Sequence, residues 1–176
     1  MNIFHKKQCK TRGFTLAEMV VYTAFLAVLA VLAINALLAV STAFSYLRVS
    51  RNMNTSAEAT LERISREIRN AYDVDLLQTT QGTSPGRLTL KTKDSLGANT
   101  TIEFYVDANN RIAVREGGVD AGTLMAKNTT VNNFVVNVIT TNNSLGLKVD
   151  LGITGSRGTI AESKNFYDTL ILRRTY

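Results

Sequence analysis

A run of 29 residues without one formal charge, residues 19–47, limits what this chain can fold into more than any other feature. Its first 22 residues, 19–40, are apolar on every helical face. At a rise of ~1.5 Å per residue they span roughly 33 Å, the thickness of a bilayer core. A helix buried in a soluble domain seldom stays apolar all round for that length. A secretory signal peptide also joins a basic start to an apolar core, but its core is typically about 7–15 residues and ends in a small-residue cleavage site. Here the run is longer, and no turn-prone stretch follows it before Arg48. The small residue, Gly13, stands in front of the run instead of behind it. A membrane-spanning helix is the reading that remains.

Charge divides the chain in the same place. The formal net charge is +6, from 20 Lys and Arg against 14 Asp and Glu. Four of the cations, Lys6, Lys7, Lys10 and Arg12, stand before Gly13 with no acid among them. Without them the remainder carries 16 cations against 14 acids, so the basic balance is not a nucleic-acid footprint. Basic residues before a span hold that side in the cytoplasm, so the residues beyond about 45 are expected on the far side of the membrane. The one cysteine, Cys9, precludes an internal disulfide, and it precedes the apolar run, whereas a lipoprotein's acylated cysteine follows one. The one histidine, His5, lies in the same leader and reads as solvated.

The costliest residue in the apolar region is Glu18, because a carboxylate at the centre of a membrane helix costs roughly 2.5–3.5 kcal/mol on insertion scales. The stretch around it, "RGFTLAE", resembles the processing site of type IV pilin-like proteins: a basic leader, Gly, Phe, Thr, Leu, one spacer, Glu, then about twenty apolar residues. The resemblance implies that a membrane prepilin peptidase cuts after Gly13 and methylates Phe14, the new N-terminus. Thr15 and Leu16 match the neighbours usual in such sites. It further implies that Glu18 sets registry by pairing with the Phe14 amine of an adjacent subunit, which offsets part of the desolvation cost. The alternative is a Glu18 that sits at headgroup level or snorkels there.

After residue 40 the pattern becomes amphipathic. Phe44, Leu47, Met53, Ala57, Leu61, Ile64, Ile68 and Ala71 recur mostly at three- and four-residue intervals, one face of a helix expected to reach about Tyr72. Glu62 with Arg66, and Arg63 with Glu67, are opposite charges four apart on the side expected to be exposed. A helix unbroken from Phe14 to Tyr72 would be ~88 Å long. The alternative is a break near 52–56, where Asn54 or Thr55 would cap a second helix with Glu58 reaching back. Beyond Asp73 alternation at period two predicts strands in "GRLTLKTK", two in "TIEFYVDANNRIAVRE", a hairpin of "NNFVVNVITT" and "LGLKVDLGIT" turning at 142–144, and a last strand in "NFYDTLILRRT". Stretches 77–86, 117–130 and 155–165, rich in Gly, Thr, Ser and Asn, are expected as surface loops.

The expected class is therefore α+β, a long N-terminal helix packed on an antiparallel sheet, as the resemblance to pilins also implies. Its parts are a leader at 1–13, a spanning helix at 14–40, an amphipathic continuation at 41–72 and an exported β-rich domain at 73–176. No cofactor is implied, and no nucleophile–base pair or phosphate loop points to an enzyme. Asp73 and Asp75 are weak candidates for calcium, since two acids alone make a thin ligand set.

Major pilins commonly carry a proline at the position of Asn35 and a C-terminal disulfide, and this chain has neither. It is more similar to minor subunits, the J-type pseudopilin of type II secretion and the W-like minor pilins. The partners so implied are other pilin or pseudopilin subunits, the prepilin peptidase and an inner-membrane assembly platform. The location implied is the bacterial inner membrane, single-pass, and then a periplasmic or extracellular filament. A bitopic membrane protein with an exported binding domain is the competing explanation of the same apolar run.

Overall fold

The computed structural model describes residues 13–140 and 145–172. The leader cations Lys6, Lys7, Lys10 and Arg12, and the turn expected at 142–144, lie outside them. Among the described residues, helix α1, Leu16–Asn70, is followed by eight strands. The chain divides into two units, 1–43 and 44–176.

In the first unit every described residue is exposed, including Phe25, Leu26, Leu32 and Leu37. No described residue of the unit covers them. Its helicity follows from local terms: alanines and leucines of high propensity recur throughout, and two of its hydroxyls bond back onto the helix. Thr23 Oγ1 donates to the Val20 carbonyl at 3.0 Å, and Thr42 Oγ1 to that of Leu38 at 2.9 Å. Hydroxyls bonded back onto the helix need no water, as a hydrocarbon environment requires. α1 is long and apolar enough to cross a membrane.

The second unit has two antiparallel sheets where the sequence reading expects one. The first, a meander, contains β1 Asp73–Val74, β2 Arg87–Lys93, β3 Asn99–Val106, β4 Ile112–Glu116 and β5 Val119–Thr123, in that order. The second contains β6 Thr129–Thr140, β7 Leu145–Arg157 and β8 Ile160–Ile171, also in chain order. The segment between β1 and β2 joins them. Thr80 donates its amide to the Arg87 carbonyl at 2.9 Å, while Gly82 and Gly86 donate to Val136 and Phe134 of β6 at 3.0 and 2.7 Å. Gly86 is required there, because a Cβ would lie 2.7 Å from the Phe134 carbonyl oxygen.

One apolar core serves both sheets and the helix. Ile64 and Ile68 of α1, Leu88 and Leu90 of β2, Phe104 of β3, Phe134 of β6, and Leu147 and Leu151 of β7 are fully buried in it. Burying each such side chain contributes about 1.5–3 kcal/mol relative to exposure. Sheet and helix meet closely at Gly155 of β7, where a Cβ would come within 2.7 Å of Met53 Cγ and 3.0 Å of Val49 Cγ1.

Several expectations need correction. The buried stripe of α1 begins at Val49; Phe44 and Leu47 are exposed, lying before the point where β7 meets the helix. The expected continuous helix is found, and the alternative break at 52–56 is not: Ser56 faces inward, receives the Ala126 amide at 3.3 Å and meets Thr129 Oγ1 at 3.3 Å. Tertiary partners hold this segment helical in place of a cap. Arg63 and Glu67 do pair, at 3.0 Å, but Glu67 is buried, and Arg63 also reaches Glu116 of β4 at 2.6 Å. The pair thus fastens the helix to the sheet instead of decorating its solvent side. The stretches 117–130 and 155–165 are not loops throughout: the first holds β5, and the second holds the end of β7 and the start of β8. Backbone pairing made them strands without an apolar alternation to announce it.

Candidate functional site

The residues that carry the motif lie at the start of α1. Gly13 is exposed, with open space where a Cβ would be. Phe14 is also exposed, its ring edge-on to Tyr22 at a centroid distance of 6.0 Å. The helix proper opens at Leu16, so Thr15 takes the capping position. Glu18 accepts from both the amide and the hydroxyl of Thr15 at 3.3 Å, and the Glu18 amide donates back to Thr15 Oγ1 at 3.3 Å.

This is a capping box, in which a hydroxyl and a carboxylate three residues apart each satisfy an amide the helix leaves orphaned. A carboxylate in the first turn also meets the positive end of the helix dipole. Thr15 is thus the partner of Glu18 that the sequence reading did not assign, although the T-x-x-E spacing is legible. The same spacing at 55–58 is not used as a cap. In chemical terms the box holds the Glu18 carboxylate against Thr15, the residue after Phe14, open to solvent and to any cation that approaches.

Asp73 and Asp75 are brought to no common ligand set. Asp73 meets Lys91 across β1 and β2 at 3.6 Å, and Asp75 Oδ1 accepts the Leu77 amide at 3.1 Å. Among the described residues no group of three or more His, Cys, Asp and Glu converges as a metal site would require.

A second cluster lies on β2–β5. Glu103 receives Arg87 at 3.0 Å and Arg115 at 2.8 Å, and Arg115 also meets Asp120 at 3.0 Å. The Tyr105 hydroxyl donates to Asp120 at 2.7 Å, with the Arg115 guanidinium 4.7 Å above its ring. The hydrogen bond to Asp120 raises the Tyr105 phenol, and accepting bonds from Tyr105 and Arg115 lowers the Asp120 carboxyl. Each charge has its opposite within the cluster, which suits a rigid surface better than a binding site for an ion. An open cleft of about 1000 Å³ lies beyond it, between the end of α1 and the β2–β3 turn, lined by Glu67, Tyr72, Lys93, Asp94 and Glu116.

Comparison of the chain with protein-family models, with curated proteins and with solved structures found no match.

Proposed function

We propose that this chain is a structural subunit, of the minor kind, of a type IV pilus or a type II secretion pseudopilus, cut after Gly13 and assembled through its N-terminal helix. The observation that carries the reading is the position of "GFTLAE": Gly13 is exposed just before the helix, and a carboxylate is fixed in its first turn, ahead of a wholly uncovered apolar stretch. A long apolar helix leading into antiparallel sheets accords with it. Removal of residues 1–13 would discard the basic leader and keep the hydrophobic helix, which then anchors the subunit until neighbouring helices replace lipid around it. A neighbour's Phe14 ammonium would take Glu18 as its partner, in place of or beside Thr15. The absence of cysteine beyond Cys9, and Asn35 where major subunits commonly carry proline, favour a minor subunit that helps initiate the filament or form its tip.

The capping box favours a second reading, a bitopic protein whose exported domain binds a partner unrelated to pili. Thr15 gives Glu18 a local structural duty that needs no neighbour. Intact mass and N-terminal sequencing of the membrane-extracted protein, after co-expression with a prepilin peptidase, separate the two. A chain beginning at methylated Phe14 is the expected result. A chain still beginning at Met1, beside a control substrate that is cut, would leave only the bitopic reading.

A further inference from the structure

Half of the cations on the described residues are neutralised in place, and most of the others are concentrated; Arg69 and Lys93, at the C-terminal ends of α1 and β2, stand apart from them. Arg63, Arg66, Arg87, Lys91, Arg111, Arg115 and Lys148 stand in ion pairs. Arg48, Arg51, Lys127, Arg157 and Lys164 are exposed and stand in no ion pair among the described residues. These five come from four places in the sequence, and the fold of the second unit gathers them at one end.

The contacts that gather them are specific. Gly155 packs on Val49 and Met53, which brings the end of β7, with Arg157, beside the helical residues Arg48 and Arg51. Lys164 of β8 donates to Asn54 Oδ1 at 3.3 Å. Lys127 stands between Ala126, whose amide bonds Ser56, and Asn128, whose carbonyl accepts the Ser156 amide at 3.0 Å. Glu162 also lies on this stretch of β8, opposite Gly155, but it forms no ion pair with any of the five. Unlike the Glu103–Arg115 cluster, this end carries a surplus of one sign.

We propose that this end of the domain docks on the headgroups of an anionic bilayer, with Arg48, Arg51, Lys127, Arg157 and Lys164 facing lipid phosphates. The proposal rests on the membrane-anchored reading of the apolar run and deepens it. Arg48 is the first charged residue after Glu18, so a span that ends at Leu47 delivers it to the headgroups by chain connectivity alone. Lipid phosphates lie in a plane, which side chains from helix, loop and two strands at one end can meet together. An acidic protein partner would need no such coincidence with the end of a span. Each cation near an anionic leaflet adds to the attraction, which decays within a Debye length.

The test is amide exchange of the full chain in lipid nanodiscs of neutral phosphatidylcholine and of the same lipid mixed with phosphatidylglycerol. The expected result is insertion in both, with amides at 126–128 and 156–159 exchanging about tenfold more slowly in the anionic discs. That protection should vanish at about 1 M salt, where the Debye length is ~3 Å, and in the double variant Lys127→Glu with Arg157→Glu. Both positions are exposed, so folding should persist, and unchanged protection of Leu147 and Leu151 verifies it. Insertion with equal exchange in the two lipids would overturn the docking and leave the anchor intact. Failure to insert in either would overturn both.

Discussion

Tyr105 and Asp120 show how one hydrogen bond moves two protons in opposite senses. The phenol donates to the carboxylate at 2.7 Å, so losing the phenolic proton costs more and gaining a carboxyl proton costs more. Tyr105 is therefore raised above the usual 10.0 of a phenol, and Asp120, which Arg115 also holds, lies below the usual 3.8. The raised phenol contributes stability that is complete below 10.0 and lost as pH rises through its folded value. The depressed carboxyl contributes above 3.8 and is lost as pH falls through its folded value. The Asp120→Asn variant should bring the Tyr105 midpoint down toward 10.0 in an ultraviolet titration, with Tyr105→Phe supplying the difference spectrum. An unmoved midpoint would mean that Asp120 is not what raises it. At the head of α1, Thr15→Ala removes half of the capping box. The loss of a cap costs typically ~1 kcal/mol, so amides at 17–19 should exchange roughly fivefold faster while those beyond one turn are unaffected.

Edges decide which elements hold each other. β6 has β7 on one side, and its other side is covered by the segment 77–86, whose Gly82 and Gly86 amides bond Val136 and Phe134. That cover turns a strand edge open to unwanted pairing into an interior one. Gly86→Ala places a methyl against the Phe134 carbonyl, a backbone atom that has no rotamer to yield. The substitution should destabilise the chain by about 1–3 kcal/mol, read as a lower urea midpoint in detergent at constant slope, with faster exchange along β6. No change in the midpoint would show that the segment lifts away without cost. Helix and sheet meet at Gly155 by the same rule of close approach. There the obstacle is the Met53 side chain, which is flexible, so Gly155→Ala should cost less than Gly86→Ala.

For the whole molecule the test of registry is assembly. In the proposed filament Glu18→Gln keeps the size and hydrogen-bonding capacity of the side chain but removes the charge that would meet a neighbour's ammonium. The variant should be cut after Gly13 as the wild type is, yet enter filaments at least tenfold less, a drop equal to about 1.4 kcal/mol. Undiminished incorporation would leave Glu18 with its capping duty alone. The sequence by itself was sufficient for the first unit, since propensity, uncharged length and the T-x-x-E spacing act within one helix and need no partner. It was also sufficient for most of β3, β6 and β7, where burial largely alternates, and for β2 and β4, which bury three successive residues each but stand out as short β-rich runs. It could not place β5, whose residues are all exposed, or the polar start of β8. Those became strands because a neighbouring backbone offered hydrogen bonds, and such pairing leaves no trace in side-chain polarity. Nor could it separate Phe44 and Leu47, exposed, from Val49 and Met53, buried, or see that Glu67 lies inside. Periodicity fixes which residues share a helical face. Whether that face is covered depends on where another part of the chain arrives, here Gly155 of β7, more than 100 residues later in sequence.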